Sequence, residues 1–420
     1  MRLPRPAIPP VLREEPQFRL LFAGQVLSVL GDRVAAVAIP FAVLAAGGDA
    51  AAIGLVAAAQ FSPFLLFGLV AGVLGDRLDR RRLLIASDTV RLVAQATGGT
   101  LLITGEATPL ILGILAFAYG AADAFFTPAF TGLLPQTLVR QDRLQEANAL
   151  RGLSFSAGSV GGPALAGLLA ATLGPGAALL FDAGTFAVSL GCLLALRPRS
   201  AEAAVAPEGE GTFLAGLRGG WREVRSRSWV QAFLGGLAVY HVVVLPSIFV
   251  LGPVLAEQEL GGAASWGIIV AAFGAGAVVG DLVLLRWKPD RALRIAALCL
   301  VFASAQAAVI GSGLGVPGIA ALEFAAGMAV TGLFTLWESS LQEHVPAHAL
   351  SRVSSYDYVA SVGLMPVGVA LAGPASALFG LQATLVGMSA IGVASGLALL
   401  AVGSVRTLPR GGAMAAGAAG

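Results

Sequence analysis

Long apolar runs, broken by short polar or Gly/Pro-rich stretches, make up most of this chain. Runs of this length predict helices that cross a bilayer. A helix rising about 1.5 Å per residue needs about 20 apolar residues to span the hydrocarbon core. The pattern predicts twelve such spans, at 18–46, 52–74, 83–104, 107–130, 148–173, 175–196, 229–256, 263–286, 291–313, 316–340, 353–378 and 380–404. Some neighbours are divided only by short turns, LGPG at 173–176 and GLGVPG at 313–318. The short alternating strands of a membrane β-barrel, about 10 residues each, do not match these continuous runs.

Composition agrees with this class. Of 420 residues, 57% are hydrophobic and 12% charged, where a soluble domain keeps about 25% charged. The 55 glycines suit helices that pack closely in lipid. A formal net charge of +2 gives no reason to expect a nucleic-acid partner. Cys192 and Cys299 sit in separate apolar runs, which predicts buried free thiols rather than a disulfide. His241, His344 and His348 lack metal-ligand spacing with cysteines, so neither a metal nor a cofactor is expected.

Charge placement sets the expected topology. The connections after spans 1, 3, 5, 7, 9 and 11 contain no Lys or Arg. All 26 basic residues except Arg33 and Arg91 lie in the tails, the other five connections, or the span ends bordering them. Basic residues accumulate on the cytoplasmic side of membrane proteins, so both termini are expected there. The resulting plan has a cytoplasmic N-terminal tail (1–17), a six-helix bundle (18–196), a cytoplasmic linker (197–228), a second six-helix bundle (229–405) and a disordered cytoplasmic tail (406–420). The second part of the linker, GTFLAGLRGGWREVRSRS, reads either as an amphipathic helix on the anionic inner leaflet or as a solvated basic linker. The halves echo each other. Phe117 and Gly120 recur as Phe324 and Gly327, and Gln136 and Leu144 as Gln342 and Leu350.

Residues 72–84, GVLGDRLDRRRLL, pack four arginines and two aspartates between two apolar runs. This stretch resembles the loop 2–3 signature of the major facilitator superfamily, G-x-L-A-D-R-x-G-R-K-x-x-L. Gly72, Leu74, Asp76, Arg77, Arg80 and Leu84 match, and Arg81 replaces lysine. Asp79 stands where that pattern has glycine, so a different turn shape is expected. The resemblance implies a cytoplasmic gate made by Gly72, Asp76, Arg77, Arg80 and Arg81; the plain alternative is that the arginines only hold the loop inside. Within span 5, GSVGGPALAGLL resembles the antiporter motif of superfamily exporters through Gly158, Gly162, Pro163 and Gly167. Span 1, the stretch after span 4 and FDAGTF in span 6 are similar to the drug- and siderophore-exporter subgroup. The implied fold is all-α, with twelve transmembrane helices in two pseudo-symmetric bundles.

A charge at mid-bilayer costs about 3 kcal/mol or more, so each one is a candidate for function. Asp32 lies near the middle of span 1, roughly 20 Å from its inner end. Asp123 and Glu323 follow it as proton-coupling candidates. Each could also be a satisfied buried polar group. Asp88 and Arg91 are three apart on span 3 and are expected to pair, and Arg33 is counted with them as an intramembrane ion-pairing residue. Phe61, Phe64, Phe67, Phe125, Phe126 and Phe130 could line an aromatic substrate surface or simply face core and lipid. The resulting expectation is a monomeric secondary transporter in a bacterial inner membrane. It exports amphipathic small molecules against protons by rocking of its two bundles. An uptake permease or facilitator of the same fold is the alternative. Neither a nucleophile–base pair nor a phosphate loop points to an enzyme.

Overall fold

The computed structural model describes residues 9–198 and 220–409, with side chains left undescribed at 68–77, 141, 347, 348 and 351. All regular structure in the described residues is helical. Eleven of these helices are long and apolar enough to cross a membrane. Arg80–Thr104, span 3, completes the twelve: it has 25 residues but is too polar to meet the same measure. Its polarity comes from Asp88, Arg91 and Gln95, all buried inside the protein.

The helices follow the predicted spans, with ends moved by a few residues. Span 1 is Pro16–Ala45, span 6 Pro175–Ala195, span 8 Ala263–Arg286 and span 12 Leu381–Ala401. Span 5 starts earlier, at Leu144, and span 10 runs on to His344. A helix can continue past the apolar band into polar residues, which a reading of apolar runs cannot register. Local chemistry explains the ends. Asp79 caps span 3 by accepting from the Arg82 amide at 2.9 Å, so the departure from glycine supplies a helix cap. Thr108 caps Pro109–Leu133, span 4, by accepting from the Ile111 amide at 3.3 Å. The LGPG turn is a true break. Gly174 has φ +84, and Pro175 opens the next helix. Gly380, at φ +85, does the same between spans 11 and 12.

The chain divides into two compact units, Met1–Gly47 with Ser62–Glu208, and Gly48–Phe61 with Gly209–Gly420. In the first unit, span 1 packs on spans 5 and 6, and span 3 packs on spans 4 and 6. One end is closed by an apolar cluster containing Val11, Phe18, Leu84, Phe130 and Leu196. Polar clamps surround that cluster. Arg81 donates to the carbonyls of Leu193 (2.8 Å) and Leu194 (2.7 Å) at the end of span 6, and Arg80 to that of Gly132 (3.0 Å) at the end of span 4. Glu15 accepts from the amides of Val139 (2.8 Å) and Arg140 (3.0 Å), tying the start of span 1 to the segment after span 4.

In the second unit the core is aromatic: Phe233 stacks on Trp337 with ring centroids 4.8 Å apart, and Trp229 meets the same indole edge-on. Ser228–Leu260, span 7, contains three π-helical stretches, Tyr240–Val244, Ser247–Leu251 and Ala256–Leu260. Such widened turns concentrate at functional sites, and nothing in the apolar pattern announces them. Spans 8 and 10 approach through glycines, Gly276 lying against the Phe324 carbonyl and Gly327 against the Phe273 carbonyl. The part of the linker described here forms a helix at 220–225, where Trp221 lies against Tyr356 with centroids 5.7 Å apart. The rest of the linker and the ends of both predicted tails (1–8 and 410–420) lie outside the described residues.

Candidate functional site

Spans 3 and 6 of the first unit carry matching polar stripes. Asp88, Arg91 and Gln95 recur at i, i+3 and i+7 on span 3, and Asp182, Thr185 and Ser189 do so on span 6. That spacing puts each set on one helix face. The two faces meet with the helices antiparallel. Ser189 Oγ donates to Asp88 Oδ2 at 2.6 Å, the Arg91 guanidinium lies over the Phe186 ring at 4.5 Å, and Gln95 Nε2 donates to Asp182 Oδ2 at 2.7 Å. Arg91, only 1% exposed, is the hub. It pairs with Asp88, reaches Asp123 Oδ1 of span 4 at 3.3 Å, and lies 4.0 Å from the Phe126 ring centroid. Carboxylates and aromatic faces together compensate its desolvation.

A second tier lies one helical turn away. Tyr119 is four residues before Asp123, and Gln95 four after Arg91, a rise of about 5–6 Å along each axis. Here the Tyr119 hydroxyl donates to Asp32 Oδ1 at 2.5 Å. Gly31, beside Asp32, lies directly against Asp182 and Thr185; a Cβ there would overlap both side chains. The upper tier therefore holds Asp32 and Asp182, with neutral donors as their bonded partners. The lower tier holds Asp88 and Asp123 around one guanidinium.

The structure thus joins Asp32, Asp88, Arg91 and Asp123 in one cluster of the first unit. Arg33 corrects the expectation. It is an exposed side chain with no carboxylate at ion-pair distance among the described residues. Consecutive helix residues point about 100° apart, so Arg33 turns away as Asp32 turns in. The antiporter-like motif packs behind it. A Cβ on Gly158 would stand 2.9 Å from Val29 Cγ1, one on Gly162 would overlap Arg33 Cβ, and Pro163 and Gly167 are buried. These small residues let span 5 lie flush on span 1, next to Asp32. In the loop 2–3 motif, Arg80 and Arg81 bind helix-end carbonyls as described above, while Gly72, Asp76 and Arg77 fall among the residues whose side chains lie outside the description.

Glu323 belongs to the second unit. It is 1% exposed, and its Oε1 has no hydrogen-bond partner among the described residues. Tyr240, in the first π-helical stretch, accepts from Gln306 Nε2 at 3.1 Å. Of the candidate aromatics, Phe126 and Phe130 are core residues. Phe67 stacks on Phe125 at 6.1 Å in the first unit, and Phe61 meets Phe249 edge-on at 5.5 Å in the second. Tyr119, Gln95, Thr185 and Ser189 are not among the residues that the apolar pattern and the embedded charges single out, and Asp182 is not among the expected coupling candidates. The paired i, i+3, i+7 stripes on spans 3 and 6 were the signal that would have found all but Tyr119.

Comparison with known proteins identifies the scaffold. The multidrug efflux pump Tap of Mycolicibacterium fortuitum is 28% identical over 385 residues, covering 89% of this chain and 92% of that protein. The enterobactin exporter EntS of Shigella boydii serotype 18 is 31% identical over 281 residues, 65% of this chain and 64% of its own. A point mutant of the nucleoside transporter NupG superposes with a TM-score of 0.74 at 12% identity, over 92% of this chain and 99% of its own; at that identity the likeness concerns the fold. These proteins are transporters, not enzymes. The family model of transmembrane secretion effectors matches residues 9–415, and the chain belongs to that family of the major facilitator superfamily.

Proposed function

We propose that this chain exports amphipathic small molecules, such as drugs or siderophores, across a bacterial inner membrane in exchange for protons. Relatives named for multidrug efflux and enterobactin export support export over uptake. The carrying observation for proton coupling is the two-tier cluster, in which Asp88 and Asp123 bond one guanidinium while Asp32 and Asp182 are bonded only to neutral donors. So much acidic character in a span layer is costly unless protons bind there. In this reading Asp32 takes up a proton from the acidic outside and releases it inside. The substrate leaves in the opposite direction as the two bundles rock in alternating access. Asp123, bonded to Arg91, passes the change in charge to the lower tier, and Glu323 serves as a protonatable group in the other bundle. The arginine-rich loop 2–3 and both termini face the cytoplasm, and the monomer is the working unit.

Proteoliposomes with an imposed pH gradient test the reading. Asp32→Asn is expected to keep passive exchange of substrate and to lose its pH-driven accumulation. Undiminished pH-driven export in Asp32→Asn would exclude Asp32 as the proton carrier.

A further inference from the structure

Asp182 is a carboxyl group of the first unit with only neutral bonded partners. It is fully buried, and no Lys or Arg among the described residues lies within ion-pair distance. Its Oδ2 accepts from Gln95 Nε2 at 2.7 Å. Its Oδ1 faces Thr185 Oγ1 at 3.3 Å, but the Thr185 hydroxyl already donates at 2.7 Å to the Asp182 main-chain carbonyl. A hydroxyl has one proton. With that proton directed at the nearer carbonyl, Oδ1 is left short of a full hydrogen bond from Thr185, and a hydrogen on Oδ1 itself would supply one. Charge points the same way. An unpaired carboxylate inside a bundle costs several kcal/mol, and a neutral acid avoids that cost.

The elements around Asp182 carry these charged or titratable groups. Span 1 brings Asp32 and Arg33, span 3 brings Asp88 and Arg91, and span 4 brings Tyr119 and Asp123, with the Tyr119 hydroxyl already committed to Asp32. Span 5 carries Glu146 and Arg151 at its opposite end. Asp32 follows Gly31, which sets span 1 directly on Asp182, and its bonded partner is the neutral Tyr119 hydroxyl, so it can exchange a proton without disturbing the Arg91 pairs.

We propose that Asp182 holds a proton on Oδ1, and that Asp32 and Asp182 form one proton-exchange site with Asp182 as the resting seat. In the transfer the Asp182 O–H bond breaks and the proton joins a carboxylate oxygen of Asp32. The negative charge passes to Asp182, where the Thr185 hydroxyl rotates from the carbonyl to donate to Oδ1. The charge of the pair is unchanged until Asp32 releases the proton and Asp182 is reloaded. The coupling role rests on the proton-driven reading above; the protonation of Asp182 does not.

Infrared difference spectroscopy of the full chain in lipid, followed through a pH titration, tests the seat directly. Wild type is expected to show a protonated-carboxyl carbonyl band at neutral pH that is lost in Asp182→Asn. That variant is isosteric with the neutral acid: its amide oxygen still accepts from Gln95 and its nitrogen donates to Thr185. Thr185→Val should shift the band by removing its acceptor, which keeps the test open if Asp182→Asn folds poorly. Asp32→Asn should keep the band but displace its titration midpoint. An unchanged band in Asp182→Asn and Thr185→Val, or an unmoved midpoint in Asp32→Asn, overturns the proposal. With ethidium as the transport probe, Asp182→Asn should lose pH-driven accumulation while retaining exchange; full pH-driven transport would overturn the coupling role. A wild type indifferent to the pH gradient would refute the proton-driven reading instead, with the infrared band still deciding the state of Asp182.

Discussion

Replacing Arg91 with methionine isolates the energetics of the lower tier. Arg91 is buried, and its removal leaves Asp88, 0% exposed, with Ser189 as its bonded donor. Removing one partner of a buried ion pair costs about 3–5 kcal/mol, chiefly because the surviving charge is stranded. Losing the guanidinium contacts at 4.0 and 4.5 Å from the Phe126 and Phe186 centroids adds roughly 0.5–2 kcal/mol each, partly offset by the methionine filling the same space. Asp123 is 32% exposed and can be rehydrated, so it contributes little. Stranding alone should therefore shift the unfolding equilibrium of Arg91→Met by roughly 10²-fold or more, with the lost ring contacts adding to it. If stranding is the cause, Asp88→Asn added to Arg91→Met should restore more than half of the loss, since asparagine still accepts from Ser189 and carries no charge. Denaturant titration of purified protein, analysed as a double-mutant cycle, measures both effects. A single variant as stable as wild type, or a double variant no better than the single, would refute the reasoning.

Three other outcomes are expected. Gly276→Val drives a side chain into the Phe324 carbonyl, a backbone group that cannot swing aside, so it should cost about 3 kcal/mol; an unchanged melting temperature would contradict the close approach of spans 8 and 10. Gly162→Leu pushes span 5 off Arg33 on span 1, and should lower transport more than expression, read by comparing ethidium efflux with protein level in cells. Arg81→Gln loses two partly exposed bonds to the end of span 6, at about 1–2 kcal/mol in total; hydrogen exchange should quicken at residues 193–196 and not in span 8.

Much of the architecture was legible in the residues. A bilayer of fixed thickness dictates apolar length, so span positions such as 175–196 and 263–286 could be read off directly and fell within a residue of the helices. The rule favouring close helix packing by small residues likewise identified Gly158 and Gly162 before their partners on span 1 were known. The same holds for the pairing of Asp88 with Arg91, which one helix decides by itself through its i, i+3 geometry. The π-helical turns of span 7 escaped, because a shifted hydrogen-bond register leaves the apolar pattern intact.

Taken alone, then, the sequence determined where the helices run and which charged residues lie inside them, because both follow from the length and polarity of single segments. Only the tertiary structure decided the partners: Tyr119 for Asp32, Arg91 for Asp123, Gln95 for Asp182, and no carboxylate for Arg33 among the described residues. Those choices depend on the rotation and antiparallel register of helices far apart in the chain, and a turn of about 100° per residue is enough to move a charge from the cluster to the outside.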